Sequence, residues 1–198
     1  MDLMIEPALA LLDFNSIAAG IQAADAMIKR AQVDVIKAGT VQPGRYLVLL
    51  GGPVGEVEES LTAGREAGER TLLDDVFLPH VHPDVVDAIG GMRAPDRADS
   101  VGIIETATVP AAIKAADAGV KAAMVRLLEI RMADGLGGKG IVLFSGVIAD
   151  VETALETGLN VLKPGLIVHH TIIPQLHPAM WENLRQTTFF HQLVGESS

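Results

Sequence analysis

The chain has 198 residues, 49% of them hydrophobic, a formal charge of −10 and no cysteine. Without thiols there are no disulfides, thiolate metal sites, cysteine nucleophiles or cysteine-ligated iron-sulfur clusters; the negative charge, with only 15 scattered Lys and Arg, argues against a nucleic acid partner. Mean hydropathy is +0.35, yet apolar stretches such as 141–144 and 166–168 fall far short of the roughly 20 residues a spanning helix needs, and Met1 to Glu6 lack the basic start and long apolar run of a secretory signal. No membrane partner is expected, and a cytoplasmic location is the default.

Taken in chain order, the sequence repeats itself. An apolar run, Ala8 to Leu12, leads into the polar Asn15-Ser16 and then an alanine-rich stretch with Ile17, Ile21, Ala24 and Ile28 at helical spacing. Val101 to Ile104, Thr106 to Thr108 and a second alanine-rich stretch follow the same plan. This predicts strand, capping residue, helix. Ala23-Ala24-Asp25-Ala26 with Lys29 returns as Ala115-Ala116-Asp117-Ala118 with Lys121, an offset of 92 residues (25 to 117). Next come β-rich runs, Val33 to Lys37 and Val125 to Ile130, each joined by a glycine-bearing loop to a second run, Tyr46 to Leu50 and Ile141 to Phe144. Each pair predicts a hairpin. Leu50-Gly51-Gly52 and Phe144-Ser145-Gly146 open a second helix, marked by Val57 and Leu61 in one copy and by Val151, Leu155 and Leu159 in the other. A last strand, Val76 to Leu78 or Leu166 to Ile173, reaches a Pro-x-x-His-Pro turn, where Pro83 and Pro178 suit the first turn of a third helix.

The offset drifts only from 92 to 95 along the chain, so two copies of one fold are present, with small loop insertions, and not a solenoid. The order β-α-β-β-α-β-α, twice, predicts an α+β class with two domains, each a mostly antiparallel sheet with flanking helices. The boundaries expected are 8–90 and 100–186, with 91–99 as a linker rich in glycine, proline and charge.

The segments Leu11-Leu12-Asp13 and Ile103-Ile104-Glu105, the two Ala-Ala-Asp-x-x-x-Lys helices, the helix entries at 52–57 and 146–151, and the endings Leu78 to Pro83 and Ile173 to Pro178 resemble the bacterial microcompartment shell proteins. The likeness is to the tandem-domain class whose trimers mimic hexamers, and it covers nearly the whole chain. It implies a structural, non-enzymatic protein: a single-layer homotrimer with six domains around a pore. Such trimers tile with other shell proteins and pass small metabolites. In that family the helix lysine lies at the tile edge, a role that falls here to Lys29 and Lys121. The position after the proline of the last turn, often arginine in the family, is His80 in copy one and Gln175 in copy two. The pore loops would be 39–44 and 133–138, with Thr40, Val41, Gln42, Pro43 and Gly44 alternating with Asp134, Gly135, Leu136, Gly137 and Gly138 around a neutral-polar opening to which Asp134 adds negative charge. Some trimeric relatives place a cluster-binding cysteine before the Pro-Gly of the first loop; Gln42 stands there, and no cofactor is expected. A trimeric, ferredoxin-like, small-molecule-binding signalling protein is the alternative.

Other signals carry less. Gly135 to Gly140 satisfies Gly-x-Gly-x-x-Gly, but a strand rather than a helix follows it, which fails the dinucleotide requirement. His80 with His82 and His169 with His170 invite a metal reading, yet no helical i, i+4 set of histidines or carboxylates accompanies them, so turn histidines are expected and no metal. The adjacent pairs Glu58-Glu59 and Asp74-Asp75 read as solvated surface, and Ser16, Ser60, Ser100 and Ser145 lack a nucleophile-elbow setting.

Overall fold

Residues 7–93 and 98–195 are described by a computed structural model. Copy one consists of β1 (Ala8–Phe14), α1 (Ile17–Arg30), β2 (Val35–Val41), β3 (Arg45–Gly52), α2 (Val54–Gly68), β4 (Leu72–Leu78) and α3 (Pro83–Ile89). Copy two repeats this as β5 (Ser100–Thr106), α4 (Val109–Ala122), β6 (Arg126–Met132), β7 (Gly140–Gly146), α5 (Ile148–Asn160), β8 (Ile167–Pro174) and α6 (Pro178–Gln186). A short helix beyond the expected pattern, α7 (Phe190–Gly195), ends the described chain. Of the expected linker, residues 94–97 lie outside the described residues.

Each copy forms one four-stranded sheet, β2-β3-β1-β4 and β6-β7-β5-β8. Every strand pair is antiparallel, not merely most of them. The duplication extends to irregularities. Both copies slip register at the same place, between Asp13 and Phe14 against β4 and between Glu105 and Thr106 against β8. The last strand of copy one starts at Leu72, four residues before the apolar run that announced it, and so carries Asp74 and Asp75 into the sheet. Asp75 is paired there with Arg65 of α2, whose Nε donates to Oδ2 at 3.1 Å.

Local capping is as the polar residues promised. The Ser16 side chain accepts from Ala19 N and the Thr108 side chain from Ala111 N, both at 3.4 Å, each satisfying an orphan donor at a helix start. His82 and His177 cap α3 and α6 through Nδ1, accepting from Asp84 N and Ala179 N at 3.2 Å. Two of the six histidines thus hold helix starts, immediately before Pro83 and Pro178 at first-turn positions.

Small residues let the two helices on each sheet approach closely. In copy one Met27 fills the space over Gly64, and the Ser60 hydroxyl donates to Met27 O at 3.1 Å. In copy two glycine replaces the methionine: Gly119 faces the Phe144 ring, and Gly158 abuts Ala115 O. The opposite sheet face of copy two is closed by Trp181 of α6 with Leu176, over Val101, Leu128 and Leu143.

The two copies share a core. Leu9, Leu11, Val76, Leu78, Val81 and Val85 of copy one belong to the same buried cluster as Val109, Ile113, Ile130 and Phe144 of copy two. Helix α4 packs on β4 and β1, and α3 lies on β6. No helix among the described residues is long and apolar enough to cross a membrane.

A Cβ added at Gly119 would stand 2.6 Å from the Phe144 ring and 3.0 Å from Ala154 O. Overpacking of this kind costs about 1–3 kcal/mol. Gly119→Ala is therefore expected to lower the urea midpoint with an unchanged m-value, whereas Gly55→Ala, which meets nothing within 4 Å, should leave packing intact.

Candidate functional site: the seam between copies and its two loops

The two expected pore loops come together in the single chain. Strand β2 runs through Val41, so Thr40 and Val41 are strand residues and the connection shrinks to Gln42-Pro43-Gly44, with Gly44 N donating to Val41 O at 3.0 Å. The second loop, 133–139, is longer and closes on itself: Ala133 N donates to Lys139 O and Leu136 N to Ala133 O, both at 2.9 Å. Gly44 and Gly138 occupy equivalent positions just before β3 and the Lys139 that precedes β7, with φ of 84° and 86°, a region an L side chain enters only with strain. Gln42 N donates to Asp134 Oδ1 at 3.3 Å and so joins the two loop tips. Gln42, Pro43, Gly44, Asp134, Gly135 and Gly137 are exposed, Leu136 is half-buried, and Gly138 is buried.

Gly138 is buried because an arginine lies on it. Arg45, the first residue of β3, sends Nη1 across the seam to donate to Gly138 O at 3.0 Å and Ala107 O at 3.4 Å, and to Asp13 Oδ2 at 3.1 Å in its own sheet. A side chain at 138 would collide with that guanidinium. Asp13 is fully buried, directly opposite Asp74 in the sheet register. The Thr108 hydroxyl at the start of α4 donates to Asp74 Oδ2, a second polar tie across the seam. Burial pushes the Asp13 carboxyl up to about 6; Arg45 opposes the rise and Asp74 adds to it. Burial also raises Asp74, with the Thr108 hydroxyl opposing. Reading Asp74-Asp75 as solvated surface is therefore corrected: the earlier start of β4 carries Asp74 into the seam.

The expected edge residues divide. Lys121 of α4 donates to His80 O of copy one and pairs with Asp117 Oδ2 at 2.6 Å, while His82 N donates to Asp117 Oδ1 at 2.9 Å. Lys121 and His80 are thus brought together within the chain. Lys29 is exposed and pairs with Asp25 at 2.5 Å, and among the described residues no hydrogen bond joins it to Gln175, which is exposed with φ 54°.

Sequence reasoning passed over Arg45 altogether, and it gave Asp74 and Thr108 no role across the seam. A signal existed: Arg45 and Lys139 match in sign at equivalent positions, as do Asp13 and Glu105, and Glu105 is paired with Lys139 as Asp13 is with Arg45.

For a metal, no group of three or more His, Asp or Glu converges among the described residues. The rings of His169 and His170 lie 6.3 Å apart and near-parallel. The register slip at Val168 lies just before them, and His169 and His170 themselves pair in regular succession with Glu105 and Ile104. Beside the second loop a cleft of about 370 Å³ is lined by Met92, Arg93, Glu129, Arg131 and Phe189, among others. Its charges are already engaged: Arg93 with Glu129, and Arg131 with Asp134 O at 3.1 Å, Thr188 O at 3.1 Å and the Phe189 ring at 3.8 Å.

The pH dependence of Asp13 has a definite sign. A carboxyl near 6 in the fold and about 3.9 unfolded binds its proton more tightly when folded, so its contribution to stability is full below about 4 and is lost as pH climbs through about 6. Urea unfolding of wild type and Asp13→Asn from pH 4 to 8 should show their stability difference shifting against wild type across that window and holding level above it.

The BMC domain model matches the chain twice, at residues 8–81 and 100–176. The bacterial microcompartment shell protein PduT of Citrobacter freundii is 38% identical over 178 residues, covering 89% of this chain and 97% of that protein. The carboxysome assembly protein CcmO of Synechocystis sp. is 26% identical over 201 residues, covering 93% of this chain and 67% of that protein. Among solved structures, the crystal structure of a microcompartments protein from Desulfitobacterium hafniense DCB superposes with a TM-score of 0.77 at 41% identity, covering 89% and 98% of the two chains. These matches lend no support to a signalling protein. With two side-by-side copies of the domain and close similarity along nearly its whole length to microcompartment proteins, the chain belongs to the BMC-domain family of microcompartment shell proteins.

Proposed function

We propose that three copies of this chain close into a ring of six BMC domains, a pseudohexameric tile of a bacterial microcompartment shell in the cytoplasm. The role is structural rather than enzymatic. The observation that carries the reading is the seam: two equivalent domains sit side by side over a common core, with both hairpin tips meeting at Gln42 and Asp134. A ring repeats that step six times, three within chains and three between them. Its centre is then lined alternately by Gln42-Pro43-Gly44 and by the Asp134 to Gly138 loop, a passage for small metabolites with carboxylates at Asp134. Lys29 and Lys121, with His80 and Gln175, fall at the tile edge and meet neighbouring tiles of this or other shell proteins.

In solution the protein should have three times the 20.8 kDa chain mass, measured by light scattering; a monomer at micromolar concentration overturns the ring. Lys29→Ala with Lys121→Ala should abolish extended sheets in electron micrographs while leaving the trimer mass unchanged. Undiminished sheets would remove the edge assignment.

A further inference from the structure

The duplication makes each within-chain contact a template for one that the chain cannot make with itself. Helix α4 buries Val109, Ile113 and Val120 against copy one. The equivalent α1 residues, Ile17, Ile21 and Ile28, are 39%, 53% and 53% exposed. In the same way β6, beneath α3, is largely buried, while its counterpart β2 is mostly exposed. One seam is filled and its duplicate is bare, so the bare face fits the far edge of a second copy: β8 and α6, the counterparts of β4 and α3.

The polar groups follow the same correspondence with changed chemistry. Where the filled seam has Arg45 paired with Asp13, the far edge has Lys139 paired with Glu105. Where it has Asp74, opposite Asp13 in the register, the far edge has His169, opposite Glu105. The groups they meet across the filled seam, Ala107 O, Gly138 O and the Thr108 hydroxyl, correspond to Asn15 O, Gly44 O and the Ser16 hydroxyl on the bare face. Ser16, like Thr108, accepts from its helix backbone and keeps its own proton to give.

We infer that the first pore hairpin is completed in trans: Lys139 of one copy donates to Gly44 O and Asn15 O of the next, while His169 accepts from its Ser16 hydroxyl. An ammonium has three donors. One serves Glu105, and two remain for the carbonyls. Each loop of the ring is then braced by a cation from the domain before it, Arg45 in cis for the second loop and Lys139 in trans for the first. The apolar isoleucine stripe supplies the contact area, and the cation fixes the loop backbone at the axis. This joint rests on the trimeric ring proposed above.

The background for the test is Glu105→Gln, which removes the in-chain ion pair and leaves the Lys139 donors in place; this variant should remain trimeric. Adding Lys139→Met should raise the concentration at which trimers dissociate by about tenfold or more, in line with the loss of charge-assisted hydrogen bonds, and Lys139→Arg should restore it. Chain folding is followed in parallel by circular dichroism. Because the chain has no thiol of its own, Ser16→Cys with His169→Cys, treated with a bismaleimide, should link separate chains on a denaturing gel, whereas Thr108→Cys with Asp74→Cys should link within one. A stable trimer that is indifferent to Lys139→Met, or a Ser16–His169 pair that never links chains, overturns the trans brace and leaves the ring standing. A monomeric wild type overturns both.

Discussion

The structure depends on a core that neither copy owns. A domain of about 90 residues buries too little of its surface to be very stable alone. Here β1, β4 and α3 of the first copy and α4, β6 and β7 of the second contribute to one apolar cluster. Side-by-side packing therefore contributes to the stability of both copies. Along that line of contact lie the loops that meet at one end, the Arg45 bridge beneath them, and the Lys121 to His80 tie where α4 meets the first Pro-x-x-His-Pro turn.

The seam mixes two kinds of force. Apolar burial, non-directional and proportional to area, holds the copies together. The buried Asp13 and its neighbour Asp74 specify how they align. A fully buried carboxylate is costly unless paired, so Arg45 and Thr108 must arrive in register for the seam to close. The same arginine grips Gly138 O, which ties the shape of the second loop to the alignment of the domains. The loop backbone cannot drift without breaking that bond across the seam.

Duplication within one polypeptide also frees the copies to differ. Met27 faces Gly64 in one copy, while Gly119 faces Phe144 in the other, so each helix pair reaches a close-packed solution by different residues. The loops have diverged further, to three connecting residues in the first and seven in the second. A ring of six identical domains would have one kind of loop at its centre. Two copies in one chain allow two kinds, and two kinds of seam.

Element order, the hairpins, the helix caps and the repeat itself were legible in the sequence, because they rest on local periodicity, on capping chemistry at Ser16 and Thr108, and on motifs that recur at a nearly constant offset. The two hairpin loops and the recurring lysines could be located for the same reason, whereas the roles proposed for them rest on the family resemblance. The burial of Asp74, the reach of Arg45 to Gly138 and the sharing of one core between copies were decided only by tertiary structure. Each depends on which strand edge meets which helix across some 30 to 90 residues of chain, and no local pattern encodes such a meeting. Pattern alone makes the Asp74-Asp75 pair at the start of a strand look solvated; the Thr108 hydroxyl of the neighbouring domain makes Asp74 part of the seam, while Asp75 pairs with Arg65 of its own copy.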